Sequence, residues 1–300
     1  MNRPAPRSID QYLAQLRDAL KGEDPALIQD ALYDAEEYLR AELAQNPGKP
    51  EADVLELIAS TYGAPDEVAE AYRTTERTVR AALKPPPPPA RSSLLGRFFS
   101  VYGDSRAYTA LFYMLLSLVT GIFYFTVTVT GLSMSAGFAV LIVGIPFFLL
   151  FIGFTRILSL VEGRIVEGLL GVRMPRRPLR SAPGSFGARI KDMLLDRRTW
   201  TTLLYLLAML PLGIAYFTVA VCMLAISFAC LTAPIALLLD SLGFDVGGMQ
   251  FNGWFVPWPG TLLVALLGVL ILTASLHAVR ALGTVHGALA RALLLSRDGE

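Results

Sequence analysis

The first 84 residues carry apolar side chains at helical spacing. In residues 9–20 they recur every three or four positions, and the same period continues through residues 25–43. Asp24 followed by Pro25 is typical of a helix start, and Gly63 is typical of a helix end. The pattern predicts a small bundle of four helices over residues 8–84, each with one buried face.

The rest of the chain changes to long apolar stretches. No charged side chain occurs in residues 107–155, and only Asp240 and Asp245 interrupt residues 199–279. About 20 apolar residues are needed to cross ~30 Å of hydrocarbon. We therefore predict an all-α fold, in which the small bundle precedes a four-span α-helical membrane domain. The expected spans are about 107–129, 137–155, 199–223 and 261–279, with an outer excursion at about 224–260.

The apolar half contains an internal repeat. GIFYFTVTV at residues 121–129 returns as GIAYFTVAV at residues 213–221, and at this offset of 92 the segments 104–132 and 196–224 share 15 identities in 29 positions. A second match, at an offset of 124, relates Arg156 and Gly163 to Arg280 and Gly287. The repeat predicts two like hairpins, with a pseudo-twofold axis along the membrane normal and the repeated phrase at their interface.

Composition and charge support this division. The chain is 54% hydrophobic and only 17% charged, which is too apolar for a soluble protein of this size. Residues 1–84 hold 10 Lys/Arg and 16 Asp/Glu, a net charge of −6, whereas residues 85–300 hold 16 and 9, a net charge of +7. Four spans place the Lys/Arg residues of the membrane domain on one side, which the positive-inside rule identifies as the cytoplasm. We expect both termini there, in the bacterial cytoplasmic membrane.

Two segments leave alternatives open. A fifth span at 224–239 would place the C-terminal arginines outside, so we favour an excursion that continues the third helix or lies in the interface. The proline run at 84–90 favours a stiff spacer over a ligand for a proline-binding module. The expected domains are thus a cytoplasmic bundle at 1–84, a linker at 85–91 and a membrane domain at 92–300.

The N-terminal part resembles a known signalling domain. YLAQLRDAL at 12–20, DAEEYL at 34–39 and YGAPDEVA at 62–69 are similar to the HAAS domain of bacterial membrane proteins. The resemblance implies a helical domain that signals to a cytoplasmic partner. It also implies a PadR-type regulator as the class of that partner.

The membrane part resembles the bacterial four-helix membrane domain called "Putative sensor". The DxRxY/W starters at 104–108 and 196–200, PLGIAYFTV at 211–219 and VGIP at 143–146 carry this resemblance. It extends over nearly all of residues 92–295. It implies a sensor of a ligand or of the state of the bilayer.

The repeat supplies four candidate ligand-binding residues in the first and third spans: Tyr124, Thr126, Tyr216 and Thr218. They are candidates for a pocket that takes an apolar or lipid-like ligand. Hydrogen bonding between helices is the alternative that we favour.

A dense basic segment follows the second span. Anionic lipid headgroups are its expected partner, the acidic head of the same chain is a further candidate, and neither excludes the other. Direct binding of nucleic acid is disfavoured because the positive-inside rule already explains the charge. The candidate residues are Arg164, Arg173, Arg176, Arg177 and Arg180.

The remaining polar and aromatic residues predict no catalysis. Trp254 and Trp258 fit an outer aromatic belt. His277 is expected to be interfacial rather than a proton relay, since no carboxylate lies in the predicted spans. No nucleophile with a neighbouring base, no metal-ligand set and no cofactor motif is predicted.

These observations favour a non-enzymatic membrane sensor that relays a membrane or ligand signal to a cytoplasmic protein through residues 1–84. An oligomeric membrane scaffold or membrane-shaping protein is the alternative, because amphipathic elements flank each hairpin. A transporter component ranks third, because no charge lies within the predicted spans. Self-association into a homo-oligomer is left open.

Overall fold

The computed structural model describes residues 5–83, 93–138, 144–177, 195–244, 250–251, 254–255 and 257–295. The predicted linker at 84–90 lies outside these residues. The described chain is helical apart from a short antiparallel ladder, in which β1 (Gln250–Phe251) pairs with β2 (Trp254–Phe255). The predicted all-α class is confirmed.

The first part, called the head below, is a bundle of α1 (Ile9–Ala19), α2 (Pro25–Gln45), α3 (Glu51–Thr61) and α4 (Pro65–Leu83). Side chains cap its helices: Ser8 accepts a hydrogen bond from the Gln11 amide, and Asp24 accepts one from the Ala26 amide. Gly63, at φ +109°, turns the chain from α3 into α4. Tyr12 is fully buried at this turn and donates to the Gly63 carbonyl at 2.8 Å. The predicted four-helix head is confirmed.

Four long apolar helices form the second part. They follow a short helix α5 (Leu94–Phe99) and a 3₁₀ turn (Ser100–Gly103), and each is long and apolar enough to cross a membrane. The predicted set of four candidate spans is thus confirmed. The helices are α6 (Ser105–Phe138), α7 (Gly144–Leu170), α8 (Arg197–Ser241) and α9 (Trp258–Leu294).

All four helices extend beyond the predicted spans. α6 continues through the turn expected at 130–136, and α8 continues to Ser241, which matches the first alternative for the outer excursion. α7 and α9 continue past Arg156 and Arg280, and these arginines form ion pairs with Asp196 and Asp104 outside their own helices. The chain leaves α7 only at Gly171, whose φ of +69° favours glycine.

The first helices of the two hairpins, α6 and α8, run in opposite directions. Ala110 and Met114, in the first half of α6, share a buried cluster with Tyr216 and Ala220, in the middle of α8. Leu203, near the start of α8, instead packs near the far end of α6. Early residues of each helix therefore meet later residues of the other.

Contacts with α9 independently require the same orientation. The first half of α9 packs closely against the later part of α8, since a Cβ added to Gly268 would lie 2.9 Å from the backbone nitrogen of Leu231. The same helix reaches the start of α6, where the Tyr102 hydroxyl lies 2.9 Å from that of Thr273. The start of α6 therefore lies beside the later part of α8.

The repeated phrase lies at the contact between the hairpins, as predicted. A Cβ on Gly121 would lie 2.5 Å from the Met209 carbonyl oxygen, and one on Gly213 would collide with the Ser117 carbonyl. This reciprocal contact identifies the pseudo-twofold axis, which is perpendicular to two antiparallel helices. For helices that cross a bilayer the axis lies in the membrane plane, so the predicted axis along the membrane normal is wrong for them.

Candidate functional site: a buried acid–base core and the docked head

A glutamate occupies the centre of the membrane domain. Glu162 of α7 has no exposed surface. Its Oε1 accepts hydrogen bonds from the hydroxyls of Tyr113 at 2.7 Å and Tyr205 at 2.9 Å, and its Oε2 accepts one from Tyr124 at 3.1 Å. Three hydroxyl donors thus replace the hydration that burial removes from this carboxylate.

A histidine from the other hairpin completes the cluster. His286 of α9 is 1% exposed, and its Nε2 lies 2.5 Å from the Tyr113 hydroxyl and 3.0 Å from the Tyr205 hydroxyl. Its Nδ1 lies 3.2 Å from the hydroxyl of Tyr216. Two tyrosines therefore bridge an acid and a base. The acid–base core consists of Tyr113, Tyr124, Glu162, Tyr205, Tyr216 and His286.

The hydrogen-bond directions in the core allow two protonation states. When the Tyr113 and Tyr205 hydroxyls donate to an ionised Glu162, their oxygens can only accept from His286, so Nε2 carries a proton. Nδ1 then accepts from Tyr216 in the neutral ring and donates to it in the charged ring. The core can therefore take up a proton at Nδ1 when the Tyr216 hydroxyl turns.

The acid and the base occupy equivalent positions in the two hairpins. His286 follows Glu162 by 124 residues, the offset of the second repeat match, and Tyr205 follows Tyr113 by 92, the offset of the first. The core therefore lies on the pseudo-twofold axis. Duplication explains the paired tyrosines, and divergence at one position explains the acid and the base.

The sequence interpretation missed this core. Glu162 and His286 lie beyond the spans expected at 137–155 and 261–279, in segments interpreted as amphipathic tails. The premise that no charge lies within the spans does not hold for α7 as it folds, because α7 extends past residue 155 and carries Glu162. The expectation that no carboxylate pairs with His277 is not affected, since His277 bonds the Phe98 carbonyl. The sequence did contain a signal. When the second repeat match is extended by one position, from Gly163 and Gly287 to the residues before them, it pairs Glu162 with His286.

The four candidate pocket residues separate into two pairs. Tyr124 and Tyr216 are buried and belong to the core. Thr126 and Thr218 are exposed on the outer faces of α6 and α8. The structure thus brings the tyrosines together, and it places the threonines where lipid would surround them.

One short loop contacts both halves of the core. Residues 171–177, called the basic loop below, follow α7. Met174 is buried and lies 3.4 Å from the position that a Cβ would take on Gly163, the neighbour of Glu162. Val172 lies against Gly287, the neighbour of His286, where an added Cβ would be 2.5 Å away. The loop thus lies against both repeat-related glycines, and at Gly287 the missing Cβ is what makes room for it.

The same loop holds an aspartate of the head. The Oδ1 of Asp30, on α2, accepts from the backbone amides of Arg176 at 2.6 Å and Arg177 at 2.8 Å. Its Oδ2 accepts from the Arg173 guanidinium at 3.1 Å. Burial raises the pKa of Asp30 above its ordinary value, although these three donors act to lower it.

Further polar contacts hold the head in place. Arg177 pairs with Asp34 at 2.7 Å, and Arg291, near the end of α9, pairs with Asp24 at 3.1 Å. The Arg198 guanidinium donates to Gln29 at 3.0 Å. The contacts draw on the basic loop and on both α8 and α9, so the head lies where the two hairpins meet.

Of the other predicted residues, Arg164, Trp258 and His277 make no polar contact with the head within the described structure. Arg164 is exposed on α7 and pairs with Glu167. Arg180 and the side chain of Trp254 lie outside the described parts of the structure, whereas Trp258 is exposed at the start of α9. The Nε2 of His277 lies 2.9 Å from the carbonyl oxygen of Phe98, and the imidazole stacks on the Phe98 ring. His277 is therefore separate from the acid–base core.

Metal ligation finds no support among the residues that the structure describes. Within them, no group of three or more His, Cys, Asp or Glu side chains could hold a metal ion. The arrangement places an acid, a base and two bridging hydroxyls within hydrogen-bond distance, which gives a proton a place at either Glu162 or His286.

Comparison with known families gives two matches. The profile described as "Putative sensor" matches residues 113–294, and the HAAS profile matches residues 11–71. Both resemblances identified from sequence motifs are confirmed. The first match contains the whole acid–base core and the basic loop, and the second contains the aspartates that contact this loop. No curated protein and no solved structure matches the chain.

Proposed function

The chain belongs to the "Putative sensor" family of membrane proteins, and from this premise we propose that its acid–base core controls docking of the HAAS head. The protein is a signalling sensor. In the proposal it is non-enzymatic, lies in the bacterial cytoplasmic membrane with the head in the cytoplasm, and relays a membrane or ligand signal to a cytoplasmic protein. Because α9 runs parallel to α6, four helices that all cross the bilayer would place the two termini on opposite faces, so the expected cytoplasmic position of both termini holds only for hairpins that enter the membrane from one face. A PadR-type regulator is the partner class that the HAAS resemblance implies.

The observation that carries the proposal is the position of the basic loop. Its partly buried Val172 and its buried Met174 pack on the glycines beside His286 and Glu162, while Arg173 and the amides of Arg176 and Arg177 hold Asp30. A change in the core that moves α7 against α9 therefore displaces the loop. Because hydrogen bonds weaken steeply with distance and angle, a small displacement releases the head.

Docking covers the acidic face of α2. Asp30 and Asp34 contact the basic loop, and Asp30 is 6% exposed. A partner that binds this face competes with the membrane domain. In the proposal, the docked head is silent and the released head signals.

The repeat supplies a matched pair of variants to test this coupling. Gly287→Ala places a methyl group 2.5 Å from Val172, so the loop must move, whereas Gly163→Ala makes an ordinary 3.4 Å contact with Met174. We expect the first variant to release the head and the second to leave it docked. Spin labels at exposed Gln45 and Thr284, in a chain with Cys222 and Cys230 replaced by Ala, report the distance across the contact.

A compensating change sharpens the test. Val172→Ala removes the methyl group that collides with the new Cβ, so Gly287→Ala with Val172→Ala should return the distance distribution to that of wild type. Equal distributions for Gly287→Ala and wild type would show that the loop does not transmit changes near the core. An undocked head in wild type would contradict the proposal outright.

The inverted hairpins favour a second candidate function. Because α6 and α8 are antiparallel, the turns of the two hairpins lie at opposite ends of this helix pair. The head lies at the centre, where α7 and α9 end. Two hairpins that extend in opposite directions from one cytoplasmic head could insert as wedges and respond to membrane shape, the scaffold alternative.

Vesicle experiments separate this candidate from the first. A membrane-shaping protein should increase the curvature of vesicles as its surface density rises, and it should self-assemble in detergent. A sensor of the first kind should leave vesicle size unchanged and should show changes only in head docking.

A further inference from the structure

The basic loop has the geometry of an oxyanion site. Successive backbone amides of Arg176 and Arg177 converge on one oxygen of Asp30, and the Arg173 guanidinium binds the other oxygen. Converging main-chain amides next to an arginine form a concave site that binds phosphate in many proteins. Here a carboxylate of the head occupies the position that a phosphate group would take.

The site is organised from within the membrane domain. Glu167 of α7 accepts from Arg173 at 3.0 Å and from Arg176 at 3.2 Å, so both guanidinium groups have a partner that does not depend on the head. Met174 is buried in the membrane-domain cluster that contains Tyr113 and Tyr205, which anchors the loop independently of the head. Release of the head therefore leaves the donors in place around a vacated position.

The charge of the vacated site matches a phosphate monoester. Arg173, Arg176 and Arg177 with Glu167 carry a net charge of about +2 once the head carboxylates Asp30, Asp34 and Glu76 depart, and Arg164 beside Glu167 adds one more positive charge. A phosphate monoester carries about −1.5 to −2 at neutral pH. A phosphate diester carries only one negative charge and fewer free oxygens.

We propose that the amides of Arg176 and Arg177 with the guanidinium of Arg173 bind a phosphate monoester in competition with Asp30. The ligand releases the head by occupying its anchoring position. This inference rests on the proposed function only in taking the docked head as one of two states. The ligand is the headgroup of a lipid such as phosphatidic acid or a soluble phosphate monoester.

Direct binding to the full-length chain tests the site. Native mass spectrometry counts phosphatidic acid bound to wild type, to Asp30→Ala and to Arg173→Gln. The first variant removes the competing carboxylate and should increase occupancy, and the second removes a donor and should reduce it, each by roughly tenfold. Arg106→Gln is the matched control, because it removes the same charge from an exposed residue at the start of α6, whereas Arg164 pairs with Glu167 and so belongs to the network of the site.

The source of the phosphate group is distinguished by the probes. Nanodiscs containing phosphatidic acid, phosphatidylglycerol or phosphatidylcholine are compared with soluble glycerol phosphate, and the Gln45–Thr284 spin-label distance is recorded. Release by phosphatidic acid alone identifies a lipid, and release by glycerol phosphate identifies a soluble ligand. Phosphatidylglycerol should act more weakly than phosphatidic acid.

The outcomes separate the two proposals. Binding that is equal in wild type, Asp30→Ala and Arg173→Gln would overturn the oxyanion site, even if Gly287→Ala still releases the head. The expected order of binding together with a spin-label distance that Gly287→Ala leaves unchanged would support the site and contradict the proposed relay from the core. An equal loss of binding in Arg106→Gln would show a general charge effect and would also overturn the site.

Discussion

The two hairpins share one sequence pattern and differ where they meet. At equivalent positions, the first hairpin supplies Glu162 and the second supplies His286, while both supply a bridging tyrosine. The surrounding packing is nearly symmetric, since Gly121 and Gly213 make the same contact with the opposite helix. Duplication thus supplied the frame, and one pair of substitutions supplied its chemistry.

The largest expected effect comes from removing the acid. Glu162→Leu leaves Tyr124 without an acceptor. It also leaves one of the two bridging tyrosines without an acceptor, since the Nε2 of His286 can accept from only one of them. Each unsatisfied buried hydroxyl costs about 1–3 kcal/mol of stability. We expect a total loss of about 3 kcal/mol in the free energy of unfolding, measured by SDS titration in mixed micelles. His286→Leu should cost less, since Tyr113 and Tyr205 keep Glu162 as their acceptor. Thr126→Val, at an exposed position, is the control.

Exchanging the two residues tests whether the hairpins are equivalent at the core. Glu162→His combined with His286→Glu restores one acid and one base on the pseudo-twofold axis. The double variant should be more stable than the sum of the single losses predicts, by about 1–2 kcal/mol. Additive losses would show that the acid and the base do not act as a unit.

The glycine contact should give an intermediate effect of equal size in both hairpins. Gly121→Ala and Gly213→Ala each place a methyl group against a backbone carbonyl that cannot rotate away. We expect each to lose about 1–3 kcal/mol in the same unfolding assay. Gly153→Ala on α7 meets open space, and it should lose nothing because Ala favours the helix. Clearly unequal losses at Gly121 and Gly213 would contradict the pseudo-symmetry.

The smallest effect is expected from the ion pairs at the helix starts. Arg280 pairs with Asp104 at 2.8 Å, and the equivalent Arg156 pairs with Asp196 at 3.5 Å. Because all four side chains are partly exposed, each pair contributes only about 0–1 kcal/mol. Arg280→Gln should cost slightly more stability than Arg156→Gln, and 1 M salt should remove the difference. A difference that persists in high salt would point to a packing effect instead.

The sequence by itself determined the elements and their relationship. The helical spacing of apolar residues, the cap at Asp24 and the turn at Gly63 define the head. The uncharged stretches define four apolar helices, and the two offsets define the duplication. These features depend on local periodicity and composition, which a sequence displays directly.

Only the tertiary structure decided how the hairpins meet. An internal repeat has the same sequence signature in parallel and in inverted orientation, and the antiparallel packing of α6 and α8 depends on contacts between residues about 100 positions apart. Glu162 and His286 each lie in a stretch that is also amphipathic on a helix surface, so composition cannot separate a solvated charge from a buried one. Their burial follows from tyrosines on two other helices, and the exposure of Thr126 beside buried Tyr124 follows from helix rotation, which packing alone fixes.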